Sequence, residues 1–226
     1  MEKKDELQLR FDPRTIEHLG IKMYSQLPYA LAELVANAYD AGASIAEIKL
    51  YDSISSDKRI VISDDGDGMS YSEVRDNFLV IGRKRRDTDT SRTNSKGRKI
   101  TGKKGLGKLA LFGIGKTISI ETTKCGETSK TVFTLDWDNI LSESTGIYRP
   151  EEKQVKKDNV FEKGTKITLS RLSRVTDFDL EQTAISLSKL FNCYSEDFCI
   201  KISKNESKPI LLTKEMKYEG IDKEFE

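Results

Sequence analysis

Residues 27–43 are the stretch that most constrains how this chain folds. They read LPYALAELVANAYDAGA, and at about 100° per residue their larger apolar side chains fall on one stripe. The residues on this stripe are Leu27, Leu31, Leu34, Val35 and Ala38. Pro28 suits the first turn of a helix, because its missing N–H would have no partner there, and Gly42 is typical of the position just after a helix. The pattern predicts an amphipathic helix that ends near Gly42.

The polar residues of this predicted helix are aligned as well. Glu33, Asn37 and Asp40 follow one another at helical spacing, so they form a row beside the apolar stripe. Taken alone, this row is most simply the solvated face of an amphipathic helix. Three further motifs later in the chain, by their order and spacing, favour a functional interpretation.

The first motif, Asp64-Asp65-Gly66-Asp67-Gly68-Met69, follows a strand-like run at residues 59–63. A carboxylate at the end of a buried strand can accept a hydrogen bond from an exocyclic amine such as N6 of adenine, and such charge-assisted bonds are strong. Gly66 and Gly68 allow a sharp turn and the close approach of a flat ring, and Met69 offers a soft apolar wall. An ordinary Asp-Gly turn is the competing interpretation.

The second motif is the glycine-rich run Gly102-Lys103-Lys104-Gly105-Leu106-Gly107-Lys108, at the start of a predicted helix over residues 105–113. A glycine-rich turn at a helix N-terminus directs free N–H groups at an anion. The motif therefore predicts a phosphate cradle, with nucleotide contacts expected from Lys104, Gly105, Leu106, Gly107 and Lys108. It is not a Walker loop, because the four-residue spacing and the Gly-Lys-Ser/Thr ending are missing.

The third motif, Gly164-Thr165, opens another strand-like run. Thr165 can hydrogen-bond a water or the adenine-binding carboxylate, and an ordinary turn into a strand is the alternative. With a nucleotide in place, the Asn37 amide oxygen can be one ligand of Mg²⁺, which keeps several waters and takes few protein oxygens. Glu33, one turn away, can orient and deprotonate an attacking water. Asp40, one turn further on, can hold a water or a basic residue on the adenine side.

Composition limits the class of protein. The chain has 226 residues, of which 33% are charged and 36% hydrophobic, and this balance is typical of a globular protein with a real core. No run of 18 apolar residues predicts a membrane span, and the first residues lack the apolar core of a secretory signal, so we expect a cytoplasmic location. Three cysteines without metal-like spacing fit reduced thiols. The single histidine, His18, argues against a His-based metal site and a Ser/His/Asp triad.

Positive charge is concentrated in one segment, although the net charge of the chain is only +1. Residues 83–104 contain ten Lys and Arg against two Asp, and residues 83–101 lack hydrophobic periodicity. We interpret the segment as an ATP lid whose Lys and Arg fold over the triphosphate. A nucleic-acid contact is a second interpretation, and a solvated loop is a third.

The predicted elements define a fold class. Helices are expected at 27–41, 70–80 and 177–191, and strands at 47–52, 59–63, 117–123, 131–137, 166–172 and 198–203. Short turns join neighbouring strands, which indicates an α/β (α+β) two-layer sandwich, with a mixed and mostly antiparallel sheet covered by helices on one face. We expect an N-terminal arm at 1–26, the main domain at 27–204 and a charged tail at 205–226.

Four ordered motifs resemble the boxes of the GHKL ATPases, the superfamily of gyrase, heat-shock-90-type chaperones, histidine kinases and MutL. These are Glu33-x-x-x-Asn37-x-x-Asp40, Asp64-x-Gly66-x-Gly68, Gly102-x-x-Gly105-x-Gly107 and Gly164-Thr165. Residues 33–43 look most like the MutL and MORC branch. Asp65 and Asp67 depart from the pattern by adding negative charge at its variable positions.

The resemblance implies the Bergerat ATP-binding fold, with Glu33 as the base, Asn37 as the Mg²⁺ ligand and Asp64 on adenine. It also implies an ATP-dependent homodimer. Relatives of this branch place a further domain after the ATPase domain, so we expect an N-terminal fragment of a longer bacterial protein with slow turnover. Two other functions stay open: a nucleotide-sensing or nucleic-acid-clamp module with negligible turnover, and a histidine kinase catalytic domain.

Overall fold

The computed structural model describes residues 9–10, 26–52, 58–80, 93–100, 111–144, 146–160, 162–191 and 197–218. Several predicted features lie outside these ranges. They include most of the N-terminal arm, residues 83–92 of the predicted lid, the predicted phosphate cradle at 102–108, and residues 219–226 of the tail.

Ten strands and four labelled helices make up the described part of the chain. The strands are β1 (Leu9–Arg10), β2 (Ile45–Tyr51), β3 (Arg59–Asp64), β4 (Gly115–Thr123), β5 (Ser129–Asp136), β6 (Ile147–Tyr148), β7 (Glu151–Lys156), β8 (Gly164–Leu172), β9 (Cys199–Lys204) and β10 (Ile210–Leu211). The helices are α1 (Leu27–Asp40), α2 (Tyr71–Glu73), α3 (Trp137–Ser142) and α4 (Leu180–Leu190). A π-helix, Val74–Phe78, continues α2, and two 3₁₀ helices span Leu111–Gly113 and Glu215–Tyr218.

Eight of the described strands form one sheet in the order β10-β9-β2-β3-β8-β4-β5-β7, and β1 pairs separately with β6. Within the described sheet only β2 and β9 run parallel, so the sheet is mixed and mostly antiparallel, as predicted. Directly opposed residues share a face of a sheet. The register aligns Ile48, Ile62, Ile167, Ile120 and Phe133 in one such row.

The apolar face of this sheet is covered by helices. The buried stripe of α1 contains Leu31, Leu34 and Val35, and it joins the inward side chains of the central strands in one core cluster. Helix α1 packs against α4 and β2, and α4 also packs against β9. The two-layer α/β architecture that was predicted is therefore confirmed.

The main departures from the predicted elements have local causes. Trp137 begins α3 instead of ending a strand, because the Asp136 side chain caps the helix by accepting bonds from two backbone N–H groups. Strand β7 was not predicted, because its sequence EEKQVK lies exposed at a sheet edge and shows no apolar alternation. Ile210–Leu211 pairs with β9, so this part of the expected tail extends the sheet.

None of the helices in the described ranges has both the length and the apolar character of a membrane-spanning segment.

Candidate nucleotide-binding site

The candidate site is built on one row of polar side chains across three strands. Asp64 ends β3 and lies opposite Thr165 of β8, which lies opposite Thr122 of β4. The neighbouring row on the same face is Ile62, Ile167 and Ile120. At this end of the sheet, polar groups therefore replace the apolar side chains of the core.

Asp64 is held by backbone donors in a mostly buried position. Its Oδ1 accepts the Gly66 N–H at 2.9 Å. Burial raises the pKa of the Asp64 carboxyl to about 6, and the N–H groups of Gly66 and Thr165 only partly offset this rise. A carboxylate in such a place is an acceptor whose negative charge has little solvent around it, so a ligand amine that donates to it gains a strong bond.

Two glycines, Gly68 in the loop after β3 and Gly164 at the start of β8, are required by close backbone contacts. Gly68 has φ of 65°, and a Cβ there would lie 1.9 Å from the carbonyl oxygen of Thr123. Gly164 has φ of 121°, and its Cβ would lie 2.1 Å from the carbonyl oxygen of Asp64. These contacts hold the loop after β3, residues 65–69, here called the Asp64 loop, against the end of β4 and the start of β8. Asp64 and Thr165 therefore stay opposite each other.

The two additional carboxylates of the loop have local partners. Oδ1 of Asp65 accepts the N–H groups of Ser44 at 2.7 Å and Ile45 at 2.9 Å. Asp67 lies 3.4 Å from the Lys163 ammonium. Both side chains therefore attach the loop to its surroundings, although the charge of Asp65 still raises the pKa of Asp64 and that of Lys163 lowers it.

Helix α1 reaches the same loop at its C-terminal end. The Asp67 N–H donates to the carbonyl oxygen of Ala41 at 2.7 Å, and a Cβ on Gly66 would lie 2.9 Å from the Ala41 Cβ. The row of Glu33, Asn37 and Asp40 on α1 thus leads toward Asp64. Asn37 is exposed, while Glu33 and Asp40 are half-buried.

Thr122 was missed in the sequence analysis. It is 1% exposed, and its Oγ1 accepts the Met69 N–H at 3.0 Å and lies 3.0 Å from the Thr165 Oγ1. A signal was available, because alternation through Ile118 and Ile120 puts residue 122 on the core face, where a hydroxyl needs a partner. Met69, predicted as an apolar wall, packs against the core next to this hydroxyl.

The described part of the predicted lid, residues 93–100, is attached to the end of α1. The Asn94 side chain donates to the carbonyl oxygen of Tyr39 at 2.8 Å. Arg98 is only 8% exposed, and its guanidinium donates to the carbonyl oxygen of Ala43 at 2.7 Å and to Asp197 at 2.6 Å. Arg98 therefore departs from the prediction that the basic side chains of this segment fold over a triphosphate, because its charge is used in a buried clamp.

The donor set suits a magnesium ion that is carried mainly by a nucleotide. No group of three or more His, Cys, Asp or Glu in the described ranges is arranged to hold a metal ion. The exposed amide of Asn37 offers one hard oxygen, and Mg²⁺ takes its other ligands from phosphate and water at sites of this kind. The predicted phosphate contacts Lys104, Gly105, Leu106, Gly107 and Lys108 lie outside the described residues.

Comparison with known proteins identifies relatives of this chain. It is 35% identical over 166 residues to the putative type II restriction enzyme HgiDII of Herpetosiphon aurantiacus, an alignment that covers 73% of this chain and 26% of that protein. It is 31% identical over 182 residues to the chaperone protein HtpG of Buchnera aphidicola subsp. Cinara cedri, covering 71% of this chain and 28% of that protein. The chain spans about a quarter of the length of these relatives.

A family profile matches the region that contains the site. The profile is described as "Histidine kinase-, DNA gyrase B-, and HSP90-like ATPase", and it matches residues 24–166. This range includes α1, the Asp64 loop and Thr165, and it covers more than half of the chain. The chain therefore belongs to the family of histidine kinase-, DNA gyrase B- and HSP90-like ATPases, the GHKL ATPases.

Proposed function

We propose that the chain binds ATP with Mg²⁺ and hydrolyses it slowly to ADP and phosphate. Adenine is recognised by Asp64, whose carboxylate accepts a hydrogen bond from the exocyclic amine. Thr165 lies beside it, while Gly66, Gly68 and Met69 form the loop against which the base lies.

The single observation that carries this proposal is the position of Asp64. Its carboxylate is largely buried, accepts the Gly66 N–H of its own loop and the Thr165 N–H of β8, and lies where the loop contacts the end of α1. Burial of this carboxylate costs free energy that its backbone donors and the charge of Lys163 only partly offset, so a binding role gives it a reason to be there. Family membership supplies the class of ligand.

Helix α1 supplies the groups for the reaction. Asn37 would hold the magnesium ion through its amide oxygen, and the ion would neutralise charge on the phosphates. Glu33 lies one helical turn away and is half-buried, so it can accept a proton from a water positioned for attack. Positioning and charge neutralisation do most of the work in phosphoryl transfer, which agrees with the small number of side chains involved.

Calorimetric titration with ATP and a non-hydrolysable analogue, in the presence of Mg²⁺, tests the binding site. We expect micromolar-to-millimolar binding by the parent and none by Asp64→Asn. Asp67→Asn removes a carboxylate from the same loop and is the matched control, since Asp67 pairs with Lys163 at the surface. Equal affinity of the parent and Asp64→Asn would refute the proposed adenine contact.

Turnover is tested separately from binding. Glu33→Gln keeps the size of the side chain, so it should retain ATP binding and lose phosphate release by about 10²-fold or more. Glu181→Gln places the same change in the exposed first turn of α4 and is the control. Phosphate release by Glu33→Gln at the rate of the control would remove Glu33 from the mechanism.

We further propose that nucleotide binding gates lid closure and formation of a homodimer. The described residues of the lid support a link between the lid and α1, because Asn94 bonds Tyr39 in α1 and Arg98 bonds Ala43 just after it. Sedimentation with and without the non-hydrolysable analogue is the test. A monomer in both conditions would refute the dimer.

A nucleic-acid contact is a second candidate, favoured by the net charge of +8 counted over residues 83–104 and by the name of one relative, a putative restriction enzyme. Arg98 is buried against Asp197, whereas Arg83, Lys84, Arg85 and Arg86 are the longest uninterrupted basic run of the segment and are the residues we assign to this contact. Salt-sensitive DNA binding that is lost when these four are neutralised is the expected result. No binding at low salt would exclude it.

A further inference from the structure

We propose that Thr122 is a positioning residue that fixes the hydrogen-bond direction of Thr165 and thereby makes the base pocket selective for a 6-amino purine. This inference rests on the proposed function, because it concerns how the same pocket discriminates between purine nucleotides. It assigns no contact between Thr122 and the ligand.

The hydroxyl of Thr122 has three polar neighbours. Its Oγ1 accepts the Met69 N–H at 3.0 Å, lies 3.3 Å from the carbonyl oxygen of Gly164, and lies 3.0 Å from the Thr165 Oγ1. Thr122 is 1% exposed, so water does not substitute for these partners. Removal of any one of them leaves a buried polar group unpaired, which is costly.

The number of hydrogens decides the direction of each bond. A hydroxyl has one hydrogen and two lone pairs. The Met69 N–H uses one lone pair of Thr122, and the Gly164 carbonyl can only accept. All three contacts are hydrogen bonds only when Thr122 donates to Gly164 and accepts from the hydroxyl of Thr165.

This arrangement uses the only hydroxyl hydrogen of Thr165. Its oxygen is then left with only its two lone pairs, so it can accept but not donate, and the neighbouring position in the row is the Asp64 carboxylate, which also accepts. Two acceptors side by side fit a group that carries two hydrogens, such as the exocyclic amine of adenine. A 6-oxo purine places a carbonyl oxygen at that position and meets two acceptors, so it is rejected.

The position of residue 122 on the core face of β4 shows that its hydroxyl is there for hydrogen bonding rather than for packing. The next residues inward on β4, Ile120 and Ile118, face the core, and the register puts Thr122 on the same face. A valine would fill this space equally well as far as packing is concerned. Packing of the core therefore does not require the hydroxyl of Thr122, whereas its hydrogen bonds do.

The experiment compares binding of ATP and inosine triphosphate by calorimetry, because these nucleotides differ only at C6 and in the proton on N1. For Thr122→Val we expect the preference for ATP, measured as its affinity divided by that for inosine triphosphate, to fall by about five- to tenfold. Without Thr122 as a partner, the Thr165 hydroxyl can donate its hydrogen to the 6-oxo group. Thr122→Ser keeps the hydroxyl and should restore the ratio.

Thr131→Val is the matched control. Thr131 lies opposite Thr122 on β5, is 2% exposed, and accepts a hydrogen bond from the Gln154 side chain at 3.0 Å. Loss of its hydroxyl removes a buried polar group one strand further from Thr165, so the ratio should match that of the parent. A purely structural role of Thr122 would weaken both nucleotides equally and leave the ratio unchanged.

The outcomes separate this inference from the proposed function. If the parent binds ATP through Asp64 and Thr122→Val keeps the parent's ratio, the inference is overturned and the proposed function stands. If the parent binds no ATP, both are overturned. If Thr122→Val fails to fold, Thr122→Cys replaces the hydroxyl by a weak donor and acceptor and is subject to the same ratio test.

Discussion

Replacement of Asp64 by asparagine is expected to stabilise the fold at neutral pH, although it removes the proposed adenine contact. Burial raises the pKa of the Asp64 carboxyl to about 6 in the folded chain, against about 3.9 for an aspartate in an unfolded chain. One pKa unit corresponds to about 1.4 kcal/mol. The ionised carboxylate therefore lowers the free energy of unfolding by about 3 kcal/mol at pH 7.5.

The sign follows from proton binding. Between about pH 4 and pH 6 the folded chain binds more protons at Asp64 than the unfolded chain does, so this residue's contribution to stability falls as the pH rises through that window. Above about pH 6 the contribution is constant. An asparagine carries no such dependence, but it accepts the Gly66 N–H more weakly, at a cost of about 1 kcal/mol.

Urea unfolding of the parent and Asp64→Asn, without nucleotide and in steps from pH 4.5 to pH 7.5, measures this effect. The variant should exceed the parent by about 2 kcal/mol at pH 7.5 and lose that advantage toward pH 4.5. The difference between the two proteins cancels the titration of carboxylates elsewhere. Asp67→Asn, whose side chain is 43% exposed, should follow the parent's profile. A pH-independent difference, or a variant less stable than the parent at pH 7.5, would refute the reasoning.

Two further predictions concern residues that support the site. Gly68→Ala should lower the free energy of unfolding by about 3 kcal/mol or more, because its Cβ would meet the Thr123 carbonyl at a positive φ. Gly126 also has a positive φ but open space around it, so Gly126→Ala should cost only about 1 kcal/mol in thermal denaturation, and equal costs would contradict the close contact at Gly68. Arg98→Lys should lower the free energy of unfolding in urea by about 2 kcal/mol or more, because an ammonium cannot bond both Ala43 and Asp197 with the geometry of a guanidinium. An unchanged midpoint would show that these contacts of Arg98 do not stabilise the fold.

Local sequence patterns were sufficient to predict the elements in which burial follows a simple helical or strand period. The apolar stripe correctly predicted α1, which spans Leu27–Asp40 and ends one residue before the expected 27–41, because one face of a helix packs on one core. The helix expected from residue 70 is also present at α2, where the spacing of Ser70 and Glu73 makes a capping box with both of its hydrogen bonds. Its continuation was not foreseen, since the helix changes to a π-helix at Val74–Phe78 and no residue type announces that change.

Arg98 and Thr122 show what a sequence alone does not distinguish. Arg98 is one of ten basic residues in its segment, and only its approach to Asp197, 99 residues away, makes it a buried clamp. Alternation in the sequence puts Thr122 rather than Thr123 on the core face, but it does not say which group its hydroxyl meets. Only the pairing of β4 with β8 places that hydroxyl against Thr165.

The sequence was enough to identify the class of the fold, its central helix and the motifs of a nucleotide site, because periodicity, capping and glycine-rich turns are local properties of the chain. The tertiary structure decided which polar groups meet. Strand register aligns Asp64 with Thr165 and Thr122, and close backbone contacts at Gly68 and Gly164 hold that alignment. Burial then determines the pKa of Asp64, and burial is a property of the whole fold, so no single segment contains it.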